Sequence, residues 1–244
     1  MKILVIGAAG RVGAMIVGEL GKRHSVRGAD LHEGQLIPGA AESVAVNVTD
    51  ISSLHRAAKD QDALVYVAMG RQDGWGSTGG WAESHFDVNV KGLYLSIQAA
   101  VAAGAHRVVY ASSLSIFHSY LDHGHELDER APDATDAYGL TKRLGEQVCE
   151  AAVREHGIDV VSLRLCGPLP DEEYAAYDGP MPEIRTAGSD VASAFVAALE
   201  RPVRGFEALV VCGDREQRYV SWDRTLDVLG WEPRADRTQE VGSG

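Results

Sequence analysis

The chain has 244 residues, 45% of them hydrophobic, which suits one large globular domain or a domain with a small appendage. It carries 23 Lys and Arg against 35 Asp and Glu, and the net charge of −12 argues against nucleic acid and anionic membrane as partners, though not against a basic pocket for phosphate groups. No segment approaches the ~20 apolar residues that a membrane span needs, and the first apolar run ends at Gly7, so no signal peptide is expected.

Short apolar segments rich in Val and Ile alternate along the chain with longer segments of helical periodicity. Segments that are apolar on both faces are typical of strands in a parallel sheet that helices cover on both sides. The pattern predicts an α/β fold with a doubly wound parallel sheet. In chain order the predicted elements are strand 3–6, helix 11–21, strands 26–29 and 44–46, a helix opened by Asp50, strand 63–68, helix 83–103, strand 107–111, helix 136–155, strand 160–165, helix 189–199 and strand 208–211.

A glycine-rich turn follows the first predicted strand and opens the first helix, with Gly7, Gly10 and Gly13 in a G-x-x-G-x-x-G pattern. A strand, a glycine turn and a helix start place free backbone N–H groups and the helix dipole against a pyrophosphate. Gly7 permits the tight turn, Gly10 close approach of the phosphate, and Gly13 close packing of the helix. Arg11 and Val12 complete the predicted cofactor contacts of this turn.

Asp30 ends the second predicted strand, 20 residues after Gly10. A carboxylate at this position accepts hydrogen bonds from the adenosine ribose and repels a 2′-phosphate. Because Leu31 and His32 follow instead of an arginine, NAD is favoured over NADP; the alternative is that Asp30 is a simple turn residue. At the ends of the next two strands, the predicted cofactor contacts are Asn47, Val48, Ala68 and Gly70.

Tyr138 and Lys142 stand one helical turn apart in the run Y-G-L-T-K. Four helical residues advance about 6 Å, so both side chains share one face. A cation one turn away stabilises a phenolate, and lowering the phenol pKa by about three units takes about 4 kcal/mol. A buried lysine beside a second positive charge, such as an oxidised nicotinamide ring, is expected to supply it. The pair therefore suits removal of a proton from an alcohol whose carbon gives up hydride.

Together with Asn89 and the pair Ser112–Ser113, these motifs resemble those of the short-chain dehydrogenase/reductase superfamily, and the resemblance runs from Met1 to about Pro233. The chain is most similar to the extended branch of NAD-dependent epimerases, dehydratases and sugar dehydrogenases. This implies a Rossmann-like NAD-binding domain over residues 1–166, with the catalytic Ser, Tyr and Lys. A small substrate-binding lobe over 167–233 is interleaved with the last sheet elements, and a frayed tail over 234–244 follows.

The resemblance also implies roles for individual residues. The Ser113 hydroxyl would bond the reacting substrate oxygen, Tyr138 would be the general acid or base, and Lys142 would bind the nicotinamide ribose. Asn89 would support the active-site helix and a proton relay, unless it is only a helix-kink residue. The backbone at Cys166 would hold the nicotinamide carboxamide, and Arg164 would support that turn.

At several positions this chain differs from the members of the family that it resembles, and these differences concern the choice of substrate. Dehydratases carry an Asp–Glu pair where this chain has Leu114 and Ser115, so dehydration is disfavoured. Short uronate dehydrogenases are closest in architecture and share a Trp before the Asn helix, here Trp81. They place a carboxylate-binding Arg just after the sixth strand, where this chain is acidic over 170–174. An anionic substrate would be repelled there unless Arg185 or Arg71 takes over. The predicted substrate contacts are Ser77, Ser113, Leu114, Ser115 and Tyr138.

The resulting prediction is a cytoplasmic, NAD-dependent oxidoreductase that transfers hydride reversibly at a secondary alcohol of a sugar or related small molecule. An epimerase using the same residues and a non-catalytic NAD-sensing protein are the alternatives. In the family that the chain resembles, helices such as 83–103 and 138–155 pair across a two-fold axis, so the resemblance implies a homodimer, unless these helices only cover the sheet. The Gly-rich segment 70–80 is a lid or a flexible loop. No metal is predicted, since the His and Asp residues near 118–125 fit no closed site, and the three separated cysteines indicate reduced thiols.

Overall fold

The computed structural model describes residues 1–77 and 79–236. Its main sheet has seven strands, all parallel, in the order β3-β2-β1-β4-β5-β6-β9. The predicted α/β fold with a doubly wound parallel sheet is therefore confirmed. The strands are Lys2–Ile6 (β1), Ser25–Asp30 (β2), Glu42–Ala45 (β3), Ala63–Tyr66 (β4), Arg107–Ser113 (β5), Asp159–Leu165 (β6), Pro168–Leu169 (β7), Thr186–Ala187 (β8) and Phe206–Val211 (β9).

Helices cover both faces of the sheet, so successive residues of one strand enter different cores. In β1, Ile3 and Val5 pack into the core beneath α1 and α7, whereas Leu4 and Ile6 pack into the core beneath α2, α4 and α5. The helices are Arg11–Gly21 (α1), Ile51–Ala58 (α2), Gly80–His85 (α3), Leu93–Ala102 (α4), Ala137–His156 (α5), Asp171–Ala176 (α6), Gly188–Glu200 (α7) and Asp223–Leu229 (α8). None of those described is long and apolar enough to cross a membrane.

The segment predicted as one helix over 83–103 consists of three parts. A π-helical stretch, Phe86–Gly92, lies between α3 and α4. The Tyr66 hydroxyl donates to the carbonyl oxygen of Val88 at 2.6 Å. A side chain of β4 therefore binds a carbonyl group of the helical segment. Gly92 is packed so closely that a Cβ there would lie 2.7 Å from Val48. Tertiary contacts thus widen a helix that the local periodicity predicts as regular.

The chain after β6 both leaves and rejoins the main sheet. β7 and β8 form a separate two-stranded parallel ribbon, with Pro168 opposite Thr186. β9 then pairs with β6 at the edge of the main sheet. The start of the predicted tail is fixed, because the N–H groups of Arg234 and Ala235 donate to the Asp190 carboxylate at 2.9 and 3.0 Å. Residues 237–244 lie outside the described part of the chain.

Candidate active site

A cavity of about 740 Å³ opens at the carboxyl ends of the parallel strands. In a doubly wound sheet this is the edge at which ligands bind. The cavity brings together residues that are far apart in sequence, and most of the predicted site residues line it. These are Gly7, Gly10, Arg11, Val12, Asp30, Asn47, Val48, Ala68, Ser113, Leu114, Ser115, Tyr138, Lys142 and Cys166. Of the other predicted residues, Gly13, Gly70, Ser77 and Asn89 do not line it.

The glycine turn forms the nucleotide end of the cavity. Gly7 has φ of +87°, and a Cβ there would lie 2.5 Å from the backbone nitrogen of Ala68. Gly13 lies behind the turn, where a Cβ would be 2.2 Å from the carbonyl oxygen of Gly7. Helix α1 begins after Gly10 with no side-chain cap. Its first N–H groups, which have no acceptor within the helix, are therefore available to a phosphate.

Asp30 supports the turn and also faces the cavity. Its carboxylate accepts from the N–H groups of Ala9 at 2.9 Å and Leu31 at 2.8 Å. A carboxylate has about four acceptor positions, so it can hold the turn and still accept from ribose hydroxyls. The turn role and the ribose role are thus compatible at one residue.

The acidic residues 171–173 after β6 do not line the cavity, so repulsion of an anionic substrate by this segment remains an untested expectation. The Glu173 carboxylate pairs with the Arg11 guanidinium, with 3.3 Å between Oε1 and Nη1. Asp171 accepts from the N–H and hydroxyl of Ser189 at the start of α7, at 2.9 and 3.0 Å. None of the acidic residues 171–173 lines the cavity. The helix turns them toward α1 and α7, a direction that their position in the sequence does not reveal.

Ser113, Tyr138 and Lys142 converge at the other end of the cavity. The Ser113 hydroxyl is hydrogen-bonded to that of Tyr138 and also accepts from the N–H of Ser115 at 3.1 Å. The buried Lys142 ammonium donates to the carbonyl oxygen of Ala111 at 2.7 Å. Its nitrogen lies 6.0 Å from the centre of the Tyr138 ring. The three side chains expected to act on the substrate therefore occupy one wall.

Burial shifts the pKa values of both Lys142 and Tyr138 in the protein without bound cofactor. Burial lowers the pKa of Lys142 to about 8. Burial also raises the pKa of Tyr138, and the hydrogen bond from Ser113 only partly opposes that rise. The predicted lowering of the Tyr138 pKa depends on Lys142 together with the positive charge of oxidised nicotinamide, and in the protein alone the Lys142 ammonium donates to the carbonyl oxygen of Ala111. The phenol is thus protonated at neutral pH without a further positive charge.

Asn89 joins the active-site helix to the end of β4. Its Oδ1 accepts from the N–H of Gly70 at 3.1 Å, and its Nδ2 donates to the hydroxyl of Thr141 at 3.0 Å. The side chain is completely buried within the π-helical stretch. Asn89 therefore lies at a distortion of the helix and is bonded to α5 next to Lys142, while its part in a proton relay stays a prediction.

An aromatic cluster around Tyr138 was not predicted. Trp75 lies against Tyr138 with ring centres 4.9 Å apart, and His85 meets the same ring edge-on at 6.0 Å. Trp81 packs on His85 at 4.2 Å. Trp75 is 56% exposed yet lines the cavity, so this Trp, and not the exposed Ser77, brings the 70–80 segment to Tyr138. Its position in a Gly-rich loop after a strand end was the only sequence signal; Thr78 lies outside the described residues.

Arg164 does not support the turn at Cys166, as had been expected. Its guanidinium forms a buried bidentate pair with Glu146 of α5, at 3.1 and 3.0 Å. The turn is held instead by Thr186, whose hydroxyl donates to the carbonyl oxygen of Cys166 at 2.8 Å. Arg164 therefore fixes α5 one turn beyond Lys142.

Further residues line the cavity. Gln72 and Tyr120 had no predicted role of their own, whereas Gly167 and Pro168 belong to the turn after β6 that was expected to hold the nicotinamide carboxamide, and Arg185 lies beside that turn. Arg185 had been considered only as a substitute for a missing arginine. Within residues 1–77 and 79–236, no three His, Cys, Asp or Glu side chains converge in a way that could hold a metal ion.

The chain is similar in sequence and in fold to known sugar dehydrogenases. The model of the NAD dependent epimerase/dehydratase family matches residues 3–174. The chain is 26% identical over 268 residues to an NAD-dependent glucose-6-phosphate dehydrogenase of Haloferax volcanii, covering 99% of this chain and 96% of the relative. It is 27% identical over 237 residues to a uronate dehydrogenase of Pseudomonas syringae pv. tomato, covering 96% and 82%. The structure of a glucuronic acid dehydrogenase from Chromohalobacter salexigens has the same fold, with a TM-score of 0.81, 24% identity and coverage of 97% and 85%.

Proposed function

Because the chain belongs to the NAD dependent epimerase/dehydratase family, we propose that it transfers hydride reversibly between NAD and a secondary alcohol of a sugar-like substrate, with Tyr138 as the general acid and base. Membership itself makes the chain an NAD-dependent enzyme of the dehydrogenase and epimerase class, as its sugar-oxidising relatives are, and confirms the prediction of NAD as cofactor. The finer proposal rests on one observation. Ser113, Tyr138 and Lys142 share a cavity with the glycine turn.

The residues present fit NAD. A Cβ at Gly7 or Gly13 would meet backbone atoms at 2.5 and 2.2 Å, so the turn stays open only with glycine. The uncapped N–H groups of α1 suit the pyrophosphate, and Asp30 suits the adenosine ribose. Lys142 is the residue proposed to hold the nicotinamide ribose. When bound, NAD supplies the hydride acceptor and, in its oxidised form, a positive charge.

Proton transfer is assigned to the chain's own side chains. The Ser113 hydroxyl would donate a hydrogen bond to the substrate oxygen, and the Tyr138 phenolate would take the alcohol proton as the carbon loses hydride. Burial raises the pKa of Tyr138, so the phenolate needs positive charge nearby. The Lys142 ammonium is available below its pKa of about 8. Asn89 holds α5 in position through its hydrogen bonds to Gly70, after β4, and to Thr141. In reduction the proton returns from Tyr138 to the carbonyl oxygen.

The proposal is tested by following reduced cofactor with uronates, sugar phosphates, aldoses, polyols and hydroxy acids. A dehydrogenase accumulates one reduced cofactor for each substrate oxidised. An epimerase, which uses the same residues, forms an isomeric sugar without net reduction. A chain that binds NAD and converts none of these compounds would be the non-catalytic alternative.

A substitution isolates the role of Tyr138. Tyr138→Phe is expected to lower turnover by about 100-fold or more, because general acid–base catalysis contributes about 10²–10⁴-fold. NAD affinity, measured by titration, is expected to change by less than about threefold, since the hydroxyl is assigned to the substrate. Tyr219→Phe, outside the cavity, is the matched control. Retained turnover in Tyr138→Phe would exclude the proposed role.

We also propose that the protein is a cytoplasmic homodimer. Phe86 and Tyr94, on the helical segment before β5, are 41% and 47% exposed, and large apolar side chains on a surface favour association. The three cysteines form no disulfide, which suits a reducing compartment. Sedimentation equilibrium of the wild type and of Tyr94→Glu tests the dimer; a monomeric wild type at all concentrations excludes it.

A further inference from the structure

Arg185 lies beside the reacting end of the cavity. It immediately precedes β8, whose first residue pairs with Pro168 of β7, so Arg185 stands opposite Gly167. A Cβ on Gly167 would lie 2.6 Å from Nη1 and 2.8 Å from Cδ of Arg185. The absence of a side chain at Gly167 therefore gives the guanidinium its place. Gly167 lies two residues after the end of β6, and both Gly167 and Arg185 line the same cavity as Tyr138.

The Arg185 guanidinium is held in place but is not neutralised. Its Nη2 donates to the carbonyl oxygen of Pro180 at 3.3 Å, and its plane lies over the Tyr177 ring at 4.9 Å. Its Nε is buried, and no group of the described residues accepts a hydrogen bond from it. No acidic side chain of the described residues forms an ion pair with it. A guanidinium has five N–H donors, and a buried donor without a partner is uncommon in folded proteins, so this one has capacity for a ligand.

The charges around the cavity favour an anion near Arg185. Among the described lining residues Asp30 is the only carboxylate, and it lies at the nucleotide end. Of the cationic side chains, Arg11 is paired with Glu173, and Lys142 donates to a carbonyl and is assigned to the ribose. Arg185 is thus the uncommitted cation at the reacting end of a protein whose net charge is −12.

We infer that Arg185 selects an anionic sugar, binding a carboxylate or phosphate group of the substrate through its guanidinium. This inference rests on the proposed function and specifies its substrate class. A planar guanidinium suits both groups because each offers two oxygens to two parallel N–H donors. The arginine comes from the residue before β8, and not from the acidic stretch directly after β6.

The test compares glucuronate, glucose 6-phosphate and glucose as substrates of the wild type, Arg185→Gln and Arg185→Lys. Arg185→Gln is expected to lower kcat/KM for the preferred anion by about 10- to 100-fold, mainly through KM, as loss of a charge-assisted contact does. Glucose turnover and NAD affinity are expected to stay within about threefold, and Arg185→Lys to recover part of the loss. The comparison of the two anions identifies the group that is bound.

Arg204→Gln is the matched control, since it removes the same charge from a side chain that is 93% exposed. Arg204 precedes β9 and so lies at the amino end of that strand, whereas the cavity lies at the carboxyl ends of the strands. Equal losses in Arg204→Gln and Arg185→Gln would mean a general charge effect and would overturn the inference. A specific loss in Arg71→Gln in place of Arg185→Gln would assign the anion to the 70–80 segment. A weakened NAD affinity in Arg185→Gln would assign Arg185 to a cofactor phosphate.

Failure of the inference is distinguishable from failure of the proposed function. If glucose is the preferred substrate and Arg185→Gln changes nothing, the function stands and the inference is wrong. If no sugar is converted, calorimetric titration of the two anions into the NAD complex still tests Arg185. Binding that Arg185→Gln weakens would support the anion site without the proposed activity, and binding that it leaves unchanged would refute the site.

Discussion

Lys142 is expected to destabilise the free protein while serving the proposed reaction, and Lys142→Met measures this cost. The ammonium is 4% exposed, and burial lowers its pKa from an ordinary 10.5 to about 8. A pKa difference of about 2.5 corresponds to about 3 kcal/mol at neutral pH, since each pKa unit is about 1.4 kcal/mol. Methionine has a similar length and no charge to desolvate. Its drawback is the lost hydrogen bond to Ala111, about 1 kcal/mol.

Without cofactor, Lys142→Met is therefore expected to be more stable than the wild type by about 2 kcal/mol at pH 7. The sign of the pH dependence follows from proton uptake. Between pH 8 and 10.5 the unfolded chain keeps this lysine protonated while the folded chain has released the proton. The wild type consequently gains stability as pH rises through that window, and the advantage of the variant shrinks by about 2 kcal/mol by pH 10.

Urea unfolding of both proteins at pH 7, 8, 9 and 10 gives these free energies. The Lys22→Met variant, altered at a side chain that is 72% exposed, is the control and is expected to show a difference from the wild type that does not vary with pH. A difference between Lys142→Met and the wild type that is constant from pH 7 to 10, or that grows with pH, would refute the reasoning. Turnover of Lys142→Met is expected to be lost throughout.

Three further substitutions test the framework of the site. Gly13→Ala puts a Cβ 2.2 Å from a carbonyl oxygen of the turn and is expected to weaken NAD binding by about tenfold or more in a titration; Gly18→Ala, with no atom within 4 Å of the new Cβ, should keep the affinity and gain about 0.5–1 kcal/mol. Asn89→Ala removes two buried hydrogen bonds and leaves the N–H of Gly70 without this acceptor, so it should cost about 2–4 kcal/mol in urea unfolding, whereas a cost below about 0.5 kcal/mol would mean that neither hydrogen bond matters. Glu146→Gln leaves the Arg164 guanidinium buried without its countercharge and should cost about 3–5 kcal/mol, and an unchanged urea midpoint would contradict this account of the pair.

The parts of the site that the sequence predicted are those that depend on local pattern and chain order. The glycine turn requires only a strand, three spaced glycines and a helix start, all within a dozen residues. Asp30 and Ser113 were predictable because each ends a strand, and parallel strands bring their carboxyl ends to one edge. Tyr138 and Lys142 were predictable because one helical turn separates them.

The parts that were missed or misread depend on partners distant in the chain. The π-helical stretch follows from a hydroxyl on Tyr66, and Asn89 takes its partners from 19 and 52 residues away. Glu173 was read as facing the substrate because its sequence position follows β6. Its actual partner, Arg11, is 162 residues away. Such pairings are fixed by how helices pack on the sheet, which periodicity does not encode.

The sequence by itself determined the α/β class, the cofactor and the residues proposed to carry the chemistry, because each is encoded by spacing within one or two elements. The tertiary structure decided which charges face the cavity. It turned the acidic segment toward α1 and α7, placed Trp75 on Tyr138, and left Arg185 beside Gly167 without an ion pair among the described residues. The direction of a side chain in a loop or short helix depends on packing against distant elements. For this reason the inference that the site takes an anionic group rests on the folded chain and not on local sequence pattern.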